Sequence, residues 1–66
     1  MKIQVNGLSH SFETTPTVAD LLIKLGLQGK SIAVECNGEI VPKSTHAAAK
    51  LADGDRLEIV VAVGGG

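Results

Sequence analysis

The sequence predicts an α+β protein in which a five-stranded sheet wraps over one main helix. Short segments alternate apolar and polar residues, as half-buried strands do. One segment instead places its apolar residues at helical spacing. Pairs of asparagine or aspartate with glycine separate several segments and favour tight turns. The predicted order is ββαββ, a possible short helix and then a last strand. The simplest way to bury the one apolar face of the sheet is to pack it against the one apolar stripe of the helix.

The first two predicted strands form a hairpin. Ile3 and Val5 alternate with polar residues, which is typical of a half-buried strand. Asn6-Gly7 follows, and a type I′ turn needs positive φ at both central positions, which these two residue types tolerate. The second strand is predicted over residues 8–13. Its inward face carries Leu8, His10 and Phe12.

A single helix is predicted over residues 18–25 after Pro16 breaks the strand pattern. Thr17 is the expected N-cap, with the Asp20 carboxylate at the third helical position facing free backbone N–H groups. Gly26 suits the position just past the helix end. The apolar stripe consists of Val18, Leu21, Leu22 and Leu25.

The second half of the chain predicts two more strands joined by a tight turn. Residues 32–37 alternate, with Ile32, Val34 and Cys36 facing inward. Asn37-Gly38 marks the turn. A short strand over residues 39–41 follows and ends at Pro42, which suits a sheet edge.

The last predicted strand covers residues 56–62 and is the most apolar of the five, which favours a central place in the sheet. Residues 44–51 before it allow a helical turn or a short 3₁₀ piece, and Asp53-Gly54-Asp55 predicts a turn. The inward side chains of this strand are Leu57, Ile59 and Val61, and the outward ones are Glu58, Val60 and Ala62.

Length and composition narrow the function classes. A chain of 66 residues forms one small domain with little room for an active-site cleft, which favours a binding module, a carrier or a substrate. The net charge of −1 and the single aromatic residue, Phe12, argue against nucleic-acid binding. One cysteine, Cys36, excludes an internal disulfide and fits a reducing compartment. The sequence shows neither a signal peptide nor a membrane segment, so we expect a soluble, cytoplasmic protein without a membrane partner.

The glycine-rich end of the sequence carries the main functional prediction. Val63-Gly64-Gly65-Gly66 directly follows the last predicted strand. Glycine adds nothing to a core and loses the most backbone entropy when ordered. We therefore expect residues 1–62 to form the domain and residues 63–66 a flexible tail that reaches about 13 Å into a partner. The Gly66 carboxylate would then be the reactive group, whereas simple fraying of a chain end, or an expression remnant, is the alternative.

Several segments together resemble a known family. They are the hairpin around Asn6-Gly7, the helix start Thr17-Val18-Ala19-Asp20-Leu21-Leu22, the run Val34-Glu35-Cys36-Asn37-Gly38-Glu39-Ile40-Val41-Pro42, the turn Asp53-Gly54-Asp55, strand 57–61, and Gly65-Gly66. With these segments, which span nearly the whole chain, the sequence resembles the ubiquitin-like β-grasp proteins. It is most similar to the ThiS family of bacterial sulfur carriers in thiamine biosynthesis. The resemblance implies a β-grasp fold with a mixed sheet.

The resemblance also implies an activity in which this chain is the substrate and not the enzyme. An E1-like adenylating enzyme, using ATP and Mg²⁺ that this chain does not itself bind, would activate the Gly66 carboxylate. Sulfur from a cysteine desulfurase, delivered as a persulfide, would then leave a thiocarboxylate on Gly66. Thiazole synthase would take that sulfur into the thiazole of thiamine. Gly64 and Gly65 would pass through the partners' active-site channels.

Val60 and Ala62 are candidates for a partner interface because strand parity points them away from the core, beside the tail. Single exposed apolar residues are also common on surfaces, which is the alternative.

Cys36 could act as a nucleophile, but its inward position favours a packing role. His10 and His46 lack partners at ligand spacing, so no metal site is predicted.

Four other functions stay open from the sequence. The closest is another β-grasp sulfur carrier, similar to the small subunit of molybdopterin synthase. A ubiquitin-like modifier joined to lysines would use the same tail. The other two functions would not use the tail: a passive binding domain with an inert tail, and an enzyme built on Cys36.

Overall fold

The computed structural model describes residues 1–61 of the protein. In chain order its elements are β1 (Lys2–Val5), β2 (Leu8–Ser11), α1 (Val18–Lys24), β3 (Ile32–Cys36), β4 (Glu39–Ile40), a 3₁₀ turn (Lys43–Thr45) and β5 (Arg56–Val61). Within this part of the chain the strands form one five-stranded sheet in the order β2-β1-β5-β3-β4. The predicted α+β class and element order are therefore confirmed. The predicted boundary between domain and tail, after residue 62, lies outside the described residues.

The last strand occupies the centre of the sheet, as its apolar sequence predicts. β5 runs parallel to β1, with Val5 opposite Leu57, and antiparallel to β3, with Val34 opposite Ile59. β1 and β3 each pair antiparallel with an outer strand. The sheet is thus mixed, and the first and last strands of the described chain lie side by side.

Both predicted Asn-Gly turns are present. Asn6 and Asn37 adopt φ values of 49° and 52°, and the glycine after each has φ near 85°. These left-handed conformations are uncommon for residues with a side chain, although asparagine tolerates them better than most. The turns set the register of the β1–β2 and β3–β4 hairpins.

The helix begins at Val18 as predicted and ends at Lys24, one residue before the predicted end, with Leu25 as its C-cap. The Thr17 hydroxyl accepts a hydrogen bond from the Asp20 N–H at 3.1 Å, and the Asp20 carboxylate accepts one from the Thr17 N–H at 3.0 Å. This reciprocal arrangement is a capping box. At the other end Gly26 has φ of 74°, and Leu27 N–H donates to the Leu22 carbonyl at 2.8 Å. The helix therefore closes with a Schellman motif, in which glycine supplies the left-handed residue.

The core lies between one face of the sheet and α1. Its buried members are Ile3, Val5, Val18, Leu21, Leu22, Val34, Leu51, Leu57 and Ile59. Phe12, Leu25, Leu27, Ile32 and Cys36 are among the partly buried residues that pack against them. The inward faces predicted for β1, β3 and α1 are confirmed by these contacts.

Two residues predicted to face the core are largely exposed. Leu8 is 68% exposed and Val61 is 41% exposed. Both line an open groove of about 340 Å³, together with Leu25 and Leu27 from the end of α1 and the loop after it. Strand parity gave the correct face, but at this end of the sheet the facing residues do not close over the two side chains.

Some element bounds also differ from prediction. β2 ends at Ser11 and β4 ends at Ile40, each shorter than expected. The 3₁₀ turn begins at Lys43, one residue earlier than predicted, and spans only three residues. It is stabilised by Thr45, whose N–H and hydroxyl both donate to the Pro42 carbonyl.

Candidate functional site

The candidate site is the C-terminal end of β5, from which the chain continues into its glycine-rich residues. The structure describes β5 as far as Val61. Of the residues predicted from the sequence to act in function, Val60 lies on this strand. Ala62, Gly64, Gly65 and Gly66 lie outside the described residues, so their predicted roles stay predictions. What the structure defines is the part of the fold that carries them.

Val60 lies on the face of the sheet opposite the helix. Its side chain is 63% exposed, and its partner on β3 is the small, exposed residue Ala33. The predicted outward orientation is therefore confirmed. An exposed apolar side chain near the end of β5 is consistent with a contact surface, while the predicted interface role itself is not tested by this geometry.

The charged surroundings of Val60 carry both signs, since Lys43 lines a shallow pocket together with Val60. Glu58, two residues earlier on β5, lies directly opposite Glu35 on β3. Like charges in directly opposed positions of a sheet destabilise it slightly. Ile40, opposite Glu35 on the other side, is 66% exposed. The outer face of β5, β3 and β4 therefore combines apolar groups with charges of both signs, because Arg56 lies beside Glu35 and Glu58.

The side chain of Asn6 holds the last part of β5. Its amide Nδ2 donates to the Ile59 carbonyl at 3.0 Å, and its Oδ1 accepts from the Ile59 N–H at 2.8 Å. Its own backbone N–H donates to the Leu57 carbonyl at 2.9 Å. Sequence reasoning assigned Asn6 only to a turn. The available signal was the choice of asparagine, which brings a donor and an acceptor to a position that glycine could also fill.

Cys36 packs against the core from the inward face of β3, as predicted. Its thiol is partly buried, and burial together with the negative carboxylates of Asp55 and Glu39 raises the pKa of Cys36 above its ordinary value. A raised pKa keeps the sulfur as a thiol, whereas a nucleophile acts as the thiolate. The surroundings of Cys36 thus favour the packing role over the nucleophile hypothesis.

Three of the remaining polar candidates, His46, Asp53 and Asp55, have hydrogen-bond partners within the fold. His46 is buried, and its Nε2 lies 3.0 Å from the Val41 carbonyl oxygen. The Asp53 carboxylate accepts from the Lys2 N–H, and the Asp55 carboxylate accepts from the Ala52 N–H at 2.7 Å. The interpretation of Asp53-Gly54-Asp55 as a turn is therefore confirmed.

Within residues 1–61, no three His, Cys, Asp or Glu side chains lie close enough together to hold a metal ion. Across the same residues, none of the helical segments has the length and apolar character needed to cross a membrane.

The mixed five-stranded sheet with its single helix defines a ubiquitin-like β-grasp protein. The crystal structure of the thiamine biosynthesis protein ThiS from Geobacter metallireducens has this architecture, with a TM-score of 0.83, 32% identity and full coverage of both chains. The model of the ThiS family matches residues 3–66, and the chain belongs to that family. The family resemblance seen in the sequence is thereby confirmed.

Two relatives are informative in different ways. The sulfur carrier protein ThiS of Bacillus subtilis is 40% identical over 65 residues, which cover 97% of this chain and 98% of that protein. The thiazole synthase of Paramagnetospirillum magneticum is 48% identical over all 66 residues, but the match covers only 20% of that protein. This chain therefore spans about a fifth of the length of the thiazole synthase that it matches.

Proposed function

We propose that this chain is a sulfur carrier of thiamine biosynthesis that holds sulfur as a thiocarboxylate on Gly66. The observation that carries the proposal is the match of the ThiS family model to residues 3–66, a range that includes Gly65 and Gly66. The similarity to the Bacillus carrier over nearly the full length of both chains supports it. The proposal requires Gly66 to be the terminal residue of the working protein.

The chemistry explains why such a carrier depends on other proteins. A carboxylate is a poor electrophile because attack adds charge to a group that is already negative. An E1-like enzyme would convert it to a mixed anhydride with AMP, releasing pyrophosphate from ATP. Cations or oriented donors stabilise such a reaction, and the partner would supply them with its Mg²⁺.

Sulfur transfer would follow in two steps. A persulfide that originates from a cysteine desulfurase attacks the activated carbonyl, and AMP leaves. A thiol then reduces the resulting acyl disulfide, which leaves the thiocarboxylate on Gly66. In this scheme the chain is a protein substrate, and its body serves to present the last residue to successive enzymes.

Thiazole synthase is the proposed acceptor of the sulfur. Two relatives named thiazole synthase contain a stretch similar to the whole of this chain, at 48% and 39% identity. Joining two partners in one polypeptide raises their effective concentration. Their presence in one chain therefore supports the view that this domain and a thiazole synthase work together.

The proposal is tested by incubating the purified chain with an E1-like activating enzyme, ATP, Mg²⁺, a cysteine desulfurase and cysteine. The intact mass should rise by the difference between one sulfur and one oxygen atom. A variant that lacks Gly65 and Gly66 should fold but stay uncharged, because terminal glycines contribute little to stability. Charging of the truncated variant would exclude Gly66 as the site.

We further propose that Val60 contacts the activating enzyme. Replacing Val60 with threonine keeps the shape and β-branching but removes apolar contact, and should raise the KM for the carrier by about threefold to tenfold. Ile40→Thr is the matched control, because Ile40 has nearly the same exposure but lies on the sheet-edge strand β4. An equal effect of both substitutions, or of neither, would contradict a specific role for Val60.

A further inference from the structure

On the side that faces β1, the end of β5 is held by a side chain rather than by a strand, while β3 pairs with it on the other side. The backbone pairing of β1 with β5 runs to Val5 opposite Leu57. Beyond that point β1 turns away into the hairpin at Asn6-Gly7. The amide of Asn6 then makes two hydrogen bonds to the backbone of Ile59, one donated and one accepted. A primary amide has the same donor and acceptor groups as a peptide unit, so Asn6 extends the parallel pairing by one further residue of β5.

This contact is long-range and partly shielded from water. Asn6 and Ile59 are 53 residues apart in sequence, and both hydrogen bonds are partly buried. The distances of 2.8 and 3.0 Å are those of well-formed bonds. Only Val60 and Val61 separate Ile59 from the residues that lie outside the described chain.

We propose that Asn6 is a positioning residue for the delivery of Gly66. By fixing Ile59 from the β1 side, it holds the end of the strand that carries the glycine-rich segment. The inference rests on the proposed function, because positioning matters only if a partner acts on Gly66. Without Asn6, the last residues of β5 are held from the β3 side alone, and a partner must order them again on docking.

The test compares Asn6→Gly with Asn37→Gly. Glycine accepts the positive φ of both positions, so each substitution removes the side chain without strain in the turn. Asn37 is the matched control because it makes analogous hydrogen bonds at the opposite end of β5, to Arg56 and Asp55. Both variants are assayed well below their unfolding midpoints, so that global stability does not limit the result.

The expected result is a change in KM at one position only. Asn6→Gly should raise the KM for the carrier in adenylation by about tenfold, because ordering one residue costs an amount of entropy equivalent to roughly that factor. Its kcat should stay near the original value, and Asn37→Gly should match the original chain in both constants. Asn6→Asp keeps an acceptor for the Ile59 N–H and should lie between Asn6→Gly and the original chain.

Amide hydrogen exchange supplies a readout that does not depend on any enzyme. Exchange at Ile59 should accelerate by about tenfold in Asn6→Gly and stay unchanged in Asn37→Gly. If the original chain receives sulfur and Asn6→Gly has an unchanged KM, the positioning role is wrong and the proposed function stands. If the original chain never receives sulfur, the proposed function is wrong, and the positioning role is wrong with it.

Discussion

The two Asn-Gly turns of this protein share a sequence signal and a backbone shape but hold β5 at opposite ends. Asn6 and Asn37 have nearly equal positive φ values. The Asn37 side chain accepts from the Arg56 N–H at 3.0 Å and donates to the Asp55 carboxylate at 3.1 Å, where β5 begins. The Asn6 side chain binds both backbone groups of Ile59, near the point where β5 ends.

Their surroundings differ as much as their positions. The hydrogen bonds of Asn37 are exposed and join residues within the same half of the chain. Those of Asn6 are partly buried and join the first strand to the last. A turn dipeptide thus fixes local backbone shape, whereas the topology of the sheet decides which groups the asparagine amide can bind. Only the Asn6 turn lies beside the chain that leads to Gly66.

The largest expected effect on stability comes from a core substitution on β5, the strand that both asparagine side chains contact. Leu57 lies on β5 between the two contacts and is fully buried. Leu57→Ala should lower the free energy of unfolding by about 2–5 kcal/mol, because it removes buried apolar atoms and leaves a cavity. Urea denaturation measures this. Val60→Ala, on the exposed face of the same strand, should change stability by less than about 1 kcal/mol, and an equal loss in both variants would contradict the assigned core.

Replacing the asparagine of each turn should have a smaller effect on the free energy of unfolding, and the effect should differ between the two turns. Asn6→Gly should cost about 1–3 kcal/mol, because it leaves partly buried backbone groups of Ile59 without partners. Asn37→Gly should cost less than about 1 kcal/mol, because the groups that it frees are exposed and bind water instead. Chemical denaturation of both variants measures the difference. A greater loss at Asn37 would reverse the comparison.

The smallest expected effect concerns Cys36, which lies next to the Asn37 turn. Its pKa is raised in the folded protein, so the fold binds the thiol proton more tightly than the unfolded chain does. The resulting stability is fully present below the ordinary pKa of 9.0 and is lost as the pH rises through the folded pKa. As the pH rises above about 9, the original chain should therefore lose slightly more stability than Cys36→Ala does. Equal losses in the two proteins, measured by urea denaturation, would mean that the thiol does not contribute.

Most of the fold could be predicted from local signals. Alternation fixed the faces of Ile3, Val5 and Val34, and helical spacing with Thr17 and Asp20 fixed the start of α1. The central place of β5 followed from its apolar composition. These features depend on residues close together in sequence, or on the need to bury an apolar face, and both are visible without coordinates.

The candidate site could be predicted only in part. The sequence identified Val60 as outward-facing, which the structure confirms. It did not reveal the hydrogen bonds between Asn6 and Ile59, because they join residues 53 positions apart and depend on the parallel pairing of β1 with β5. The exposure of Leu8 and Val61 was also missed, since strand parity assigns a face but not whether other residues cover it.

The central claim is that β5 presents Gly66 for chemical modification. Tandem mass spectrometry of the chain after incubation with the activating enzyme and sulfur donor tests it most directly. We expect the fragment that ends in Gly66 to carry one sulfur in place of one oxygen, with Cys36 unmodified. Sulfur found on Cys36, or an unmodified Gly66 fragment under conditions that charge the Bacillus carrier, would contradict it.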